Sequence, residues 1–415
     1  MKDIVAIIIV HESRDSIWHT LASLKQLEKH LQMIAIVHPP EYHLPRHHSN
    51  CISYPVKGDD IGMTLNDLLR HLNASYVLLL RSGASLSTTV DISSTINQTS
   101  GAVGNQYALF IPKATYVRYP FPDQDLLPFP EALLPFWFSL LPRDKKVCLA
   151  QNEQWARLAN HSKQTSVRQK QEWTNNYALT SETSSELSIT VLIANYNQHP
   201  YLDNAIASCL IGPSIPEQIL VVDDGSTDDS VFKLNRWNVD KIHILFNPHN
   251  EGKARALNRL LPFVKSDYII ELDADDWLDP DAFSILANEL VDMPMESPLL
   301  YGNFRRWKAE NLNQVRYKGI TKGRQIQTKQ DLLGYRFPLG PRIYRTSALK
   351  EVGGFPISSY EEGRLYEDVA VLDRLLEVGP LLYKDFTIYN VRDHMESITQ
   401  KNHSKWNGFL DQLDP

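Results

Sequence analysis

Tyr268-Ile269-Ile270-Glu271-Leu272-Asp273-Ala274-Asp275-Asp276-Trp277 is a short, largely apolar run that ends on an Asp-x-Asp. Runs of this length that stop at turn-forming residues read as buried strands. Two earlier runs have the same form. Thr190 to Ile193 leads into Ala194-Asn195-Tyr196-Asn197, and Ile219 to Val222 leads into Asp223-Asp224-Gly225-Ser226-Thr227-Asp228-Asp229. Helical patterns, Tyr201 to Leu210 and Ala254 to Val264, lie between the strands, so the segment reads as βαβ units around a mostly parallel sheet. Ligands of such sheets bind beyond the carboxyl ends of the strands, where these polar clusters fall.

Asp and Asn cap helices and make turns, which accounts for Ser226-Thr227-Asp228 without any ligand. Capping does not require an Asp-x-Asp directly after a buried strand. Crowded carboxylates repel one another and are stable chiefly when a hard divalent cation or a positive group joins them. A metal held by one or two protein carboxylates keeps positions open for phosphate oxygens. With Tyr196 to stack on a base and Asp223 or Asp224 to accept from a base N–H, the strand ends suggest a nucleotide diphosphate site.

The same pattern occurs earlier in the chain. Ile4 to Ser23 lies over Ile189 to Ser208, Ile34 to Val37 over Ile219 to Val222, and Tyr76 to Leu80 over Tyr268 to Leu272; Phe121-Pro122 later meets Phe355-Pro356. Matches in one shared order indicate an internal duplication. The expected organisation is two Rossmann-like α/β domains, 1–172 and 188–415, joined by a polar linker over 173–187.

The length of 415 residues and a hydrophobic content of 43% suit two such domains. A net charge of −7 gives no global electrostatic reason to bind nucleic acid or an anionic membrane. Three scattered cysteines, Cys51, Cys148 and Cys209, imply neither a disulfide framework nor a cysteine zinc site. The apolar run Ile4 to Val10 is too short for a signal-peptide core, and Phe129 to Leu141 is broken by Pro130 and Pro135. A soluble, cytoplasmic protein without an integral membrane segment is expected.

Residues 189–281, read as an ordered set of motifs, resemble the nucleotide-binding half of a family 2 glycosyltransferase of the GT-A fold. The set is Asn195-Tyr196-Asn197, Val222-Asp223-Asp224-Gly225-Ser226, Asn250-Glu251-Gly252-Lys253, Ala256-Leu257-Asn258 and Asp273-Ala274-Asp275-Asp276. Lys350-Glu351-Val352-Gly353-Gly354-Phe355, Tyr366-Glu367-Asp368-Val369 and Arg392-Asp393-His394 extend the likeness. The resemblance implies a nucleotide-sugar donor, with a UDP-sugar favoured, Mn²⁺ or Mg²⁺ as cofactor, a carbohydrate or glycoconjugate acceptor, and inversion at the anomeric carbon. Surface polysaccharide synthesis is its expected setting.

Carried over residue by residue, the likeness places Ala194, Asn195, Tyr196, Asp223 and Asp224 around the nucleoside, with Tyr196 stacked on the base and Asp224 binding it. Lys253 would lie near the diphosphate, Asp273-Ala274-Asp275 at the ribose and metal, and His394 beside the metal or diphosphate. Asp276 and Trp277 would line the sugar pocket. Glu367-Asp368 opens an amphipathic helix with Val369, Val371, Leu372, Leu375 and Leu376 on one face, where acids also suit the helix dipole. The resemblance makes Asp368 the catalytic base, with Glu367 orienting acceptor or base.

At the offsets of the repeat, the first copy has His11 for Tyr196, His38-Pro39 for Asp223-Asp224, Ile61 for Lys253 and Arg81-Ser82-Gly83 for Asp273-Ala274-Asp275; Glu131 falls near Asp368. This copy reads as a degenerate, non-catalytic GT-A-like domain. Two other readings of the chain are a nucleotidyltransferase, for which the usual Gly-rich basic loop after the first strand is lacking, and a non-catalytic carbohydrate-binding scaffold, which the intact second copy opposes.

Overall fold

Ile4 to Ile9 is the first strand (β1) of the computed structural model, and all six residues are buried, as suits a central parallel strand covered on both faces. The structure describes residues 3–11, 17–44, 51–87, 100–149, 155–158, 165–177, 188–334, 339–357, 365–394, 405–406 and 408–409. The chain divides into two units, Met1–Thr180 and Ser181–Pro415.

In the first unit β1 lies between β2 (Leu31–His38) and β4 (Tyr76–Arg81), parallel to both, with β3 (Cys51–Pro55) parallel to β2. A separate pair is formed by β5 (Ala84–Leu86) and β9 (Ala156–Leu158). With β6 (Ala102–Asn105), the antiparallel β7 (Ala108–Pro112) and β8 (Lys146–Cys148), the main sheet has the order β3-β2-β1-β4-β7-β6-β8. The proline-interrupted apolar stretch folds as a largely buried helix, Leu133–Leu140. No helix among the described residues is long and apolar enough to cross a membrane.

The helix Thr165–Asn175 buries Trp173 and Thr174, and Tyr177 just beyond it is buried as well. The first unit therefore continues past residue 172 into the stretch read as linker, because two aromatic rings there find a core. Residues 178–187 lie outside the described ones.

In the second unit β10 (Ile189–Asn195) lies between β11 (Gln218–Asp223) and β13 (Tyr268–Glu271), parallel to both, with β12 (Ile242–Phe246) parallel at the edge. The remaining strands are β14 (Trp277–Leu278), β15 (Leu299–Ala309), β16 (Val315–Thr321), β17 (Arg342–Arg345) and β18 (Leu382–Asp393). The order is β12-β11-β10-β13-β17-β15-β18-β14, with β16 antiparallel to β15. The sheet turns mixed at β17, which runs antiparallel to β13.

Strand alternation divides the core of this unit between the two faces of the sheet. Val191 and Ile193 pack with Leu202 and Ile206 of the helix His199–Ser208 and with Leu286 of the helix Ala282–Val291. Leu192, Leu220 and Val222 pack with Leu257 of the helix Lys253–Leu260 and with Leu372 of the helix Glu367–Val378. Truncating a fully buried leucine here, such as Leu192, would cost about 2–5 kcal/mol. The two helical patterns read from the sequence correspond to His199–Ser208 and to Lys253–Leu260, the latter closing in a 3-10 turn around Pro262.

The units share a strand arrangement. In each, four parallel strands are followed by an antiparallel fifth, and the registers agree: Tyr76 pairs with Pro112 and Leu79 with Leu109, as Tyr268 pairs with Arg345 and Glu271 with Arg342.

Candidate active site

β10 and β11 end together, with Asn195 opposite Asp223. Asn195 Nδ2 donates to Asp223 Oδ2 at 2.7 Å and to Ser226 Oγ at 3.2 Å, while Asp223 Oδ1 accepts from the Ser226 backbone N–H at 2.9 Å. Asp224 Oδ1 accepts from Asn247 Nδ2 (2.6 Å) and the Glu251 N–H (3.0 Å), and its Oδ2 accepts from the Gly252 N–H (2.8 Å). Both carboxylates are buried and pin loops, so the direct work of Asp224 is to hold the segment that delivers Lys253. Gly225, at φ +72°, is required here: a Cβ would come within 2.6 Å of the His249 backbone. Tyr196 is 44% exposed at this strand end, a ring available for stacking. Ala194 is half-buried within β10.

Lys253 begins the helix that follows. Its Nζ lies 2.6 Å from Asp273 Oδ1, 2.8 Å from Glu271 Oε1 and 3.4 Å from Glu367 Oε1. Burial opposes its charge, but these three carboxylates raise its pKa well above that of an ordinary lysine. The structure thus brings together Lys253, Asp273 and Glu367, which lie far apart in the chain.

The last strand completes the Asp-x-Asp turn. His394, just past β18, places Nε2 2.8 Å from Asp275 Oδ2. Arg392 donates from its backbone to Asp276 Oδ1 (2.8 Å) and from Nε to the Asp275 carbonyl (3.0 Å), its guanidinium 4.6 Å from the ring centroids of both Tyr201 and Trp277. Burial, reinforced by the charges of Asp275 and Asp273, pushes the Asp276 carboxyl well above the usual range. Ala274 and Trp277 are buried; Trp277 stands beside Trp307, and its environment is that of a core residue. Asp275 and His394 present adjacent oxygen and nitrogen donors, chemistry that suits a divalent ion. Asp273 faces Lys253, so among the described residues no group of three His, Cys, Asp or Glu side chains converges as a metal cage.

Glu367 and Asp368 open their helix beside this cluster. Burial, together with the charges of Asp368 and Glu271, raises the Glu367 carboxyl to about 7 against the pull of Lys253. Asp368 Oδ2 lies 3.5 Å from Arg342 Nη1. Sequence reading missed Arg342 and its partner Glu271. Glu271 accepts from Arg342 Nε and Nη2, both at 3.0 Å, and from Tyr344 Oη at 2.9 Å, and its carboxyl is held far below the ordinary range despite its burial. An acid inside an otherwise apolar strand was the available signal.

The first-unit residues set against these in the sequence have different chemistry. Arg81 ends β4, His38 bonds Ser53 Oγ at 2.7 Å, and Glu131 is buried in an ion pair with Lys170 Nζ at 3.0 Å.

Residues 190–353 match the family described as Glycosyl transferase family 2. An uncharacterized glycosyltransferase of Haemophilus influenzae is 29% identical over 188 residues, covering 43% of this chain and 70% of that protein. A chondroitin synthase of Escherichia coli is 29% identical over 237 residues, 52% of this chain; the chain spans only 32% of the synthase. Among solved structures, residues 1–349 of S. aureus TarS align at a TM-score of 0.40 and 18% identity, over 50% of this chain and 60% of that one. Residues 190–353, which hold Tyr196, Asp224, Lys253, Asp273 and Asp275, are therefore a Glycosyl transferase family 2 domain, and the enzyme class of the chain is that of the glycosyltransferases.

Proposed function

We propose that the second unit transfers a sugar from a UDP-sugar to an acceptor hydroxyl with inversion at the anomeric carbon, in the synthesis of a surface polysaccharide or glycoconjugate. The observation that carries this reading is the position of Lys253, 2.6 Å from Asp273 and 3.4 Å from Glu367. One cation joins the strand-end carboxylates to the acids that open the 367–378 helix, so the groups for donor and acceptor form a single site.

In this reading Tyr196 stacks on the base, Lys253 meets the diphosphate, and Asp273 orients the ribose. Asp275 and His394 would hold Mn²⁺ or Mg²⁺, which when bound neutralises charge on the leaving diphosphate. Asp368 takes the proton of the acceptor hydroxyl as that oxygen attacks the anomeric carbon from the face opposite the diphosphate, and Glu367 orients the acceptor. The new C–O bond forms as the bond to the diphosphate breaks.

The first unit is, in the same reading, a degenerate GT-A-like copy that binds no nucleotide-sugar. Its support is the shared strand order and register, with Arg81 and Gly83 standing where Asp273 and Asp275 would be needed. The decisive experiment is mass-spectrometric screening of the full chain against UDP-, GDP- and dTDP-sugars with and without Mn²⁺. Metal-dependent consumption of a UDP-sugar is expected, and a folded chain that consumes none of them would overturn the reading.

A further inference from the structure

Glu271 and Arg342 face each other across β13 and β17 and are 2% and 6% exposed. A buried ion pair is a weak source of stability, because desolvating two charges offsets most of their attraction. In the first unit the same register positions, on strands in the same order, hold Leu79 and Leu109, both fully buried. Two leucines therefore serve this place in the sheet, and the charges in the second unit answer to something other than strand pairing.

What they answer to is visible in their contacts. Glu271 is the common anion of two cations. Lys253 reaches from it to Asp273 and Glu367. Arg342 grips it with Nε and Nη2, leaving Nη1 to donate to the Leu339 carbonyl at 3.0 Å and toward Asp368 Oδ2 at 3.5 Å. A bidentate grip fixes the plane of a guanidinium, and with it the direction of the remaining nitrogen.

We propose that Glu271 and Arg342 are a positioning pair for sugar transfer: Glu271 locks the Arg342 guanidinium so that Nη1 orients Asp368. The proposal rests on the reading of Asp368 as the base. Neither member needs to touch substrate. The pair acts on the proton-accepting side of the reaction, while Lys253 keeps Asp273 and Glu367 as partners even without Glu271.

The test uses the full chain carrying Glu271→Leu with Arg342→Leu, which reproduces the apolar pair of the first unit, and separately Arg342→Lys. Thermal unfolding, calorimetric titration with UDP and Mn²⁺, and steady-state consumption of the UDP-sugar found by screening are measured on each. The double variant is expected to unfold cooperatively, to bind UDP within about threefold of the unmodified chain, and to lose kcat by about 10²-fold with donor KM little changed. Arg342→Lys should fall between, since one ammonium cannot grip Glu271 twice and also reach Asp368. If the double variant does not fold, Arg342→Lys, which keeps both charges, carries the test by the same split of kcat from UDP affinity. An unchanged kcat, or a loss of UDP binding in parallel with kcat, would overturn the proposal. An unmodified chain that consumes no nucleotide-sugar would overturn the reading of the site and the proposal with it.

Discussion

His394 Nε2 lies 2.8 Å from Asp275 Oδ2, across 119 positions of sequence. The contact forms because β18 returns past the Asp-x-Asp turn and Arg392 ties that turn down from the same strand. Asp275→Asn should therefore abolish Mn²⁺-dependent UDP binding in a folded protein, and His394→Ala should weaken it. Calorimetry with and without Mn²⁺ checks this; full-strength metal-dependent binding by folded Asp275→Asn would remove the residue from the metal site.

Asp368→Asn should lower kcat by about 10²-fold or more and leave donor affinity nearly unchanged, because a base meets the acceptor and not the nucleotide. Steady-state kinetics beside UDP titration separates the two quantities. Lost UDP affinity with retained turnover would place Asp368 in the nucleotide site instead.

Glu367 makes stability depend on pH in a defined direction. Its folded pKa, about 7, lies above the ordinary 4.5, so between these values the folded state holds a proton that the unfolded chain has released. Stability should fall as pH rises through that window, and Glu367→Gln should flatten the fall. Denaturant unfolding from pH 4.5 to 8 measures it, and identical profiles for the variant and the unmodified chain would contradict the assignment.

Glu131 predicts the opposite slope for the first unit. Burial would raise its carboxyl, but Lys170, His11 and Arg81 overcome that and hold it at about 2. The stabilisation is present above about pH 4.5 and is lost as pH falls towards 2. Glu131→Gln, which removes the carboxylate charge facing the buried Lys170, should cost about 3–5 kcal/mol, while Glu131→Leu with Lys170→Met should recover most of it. Urea unfolding of the two variants decides the matter; equal losses would mean that the charges are not coupled.

If the first unit is a degenerate copy, the whole protein takes one nucleotide. Titration with UDP and Mn²⁺ should give a stoichiometry near one per chain, and Asp275→Asn should leave no residual metal-dependent heat. A second saturable site surviving that substitution would assign nucleotide binding to the first unit.

Much of the fold was legible in residue order alone. Apolar runs that end on polar clusters and helical patterns between them determined the strands and their parallel pairing, because side-chain period and turn chemistry are local properties. The same locality misplaced the end of the first unit: the polar composition after residue 172 suggests solvent, but Trp173 and Tyr177 find a core. Roles that depend on distance were decided only by tertiary structure. Asp224 spends its oxygens on Asn247, Glu251 and Gly252, Lys253 gathers Glu271, Asp273 and Glu367, and Arg342 joins Glu271 to Asp368. No local pattern encodes these meetings, since each is set by strand register and helix placement over long separations, and the charge a buried group keeps depends on which partners arrive.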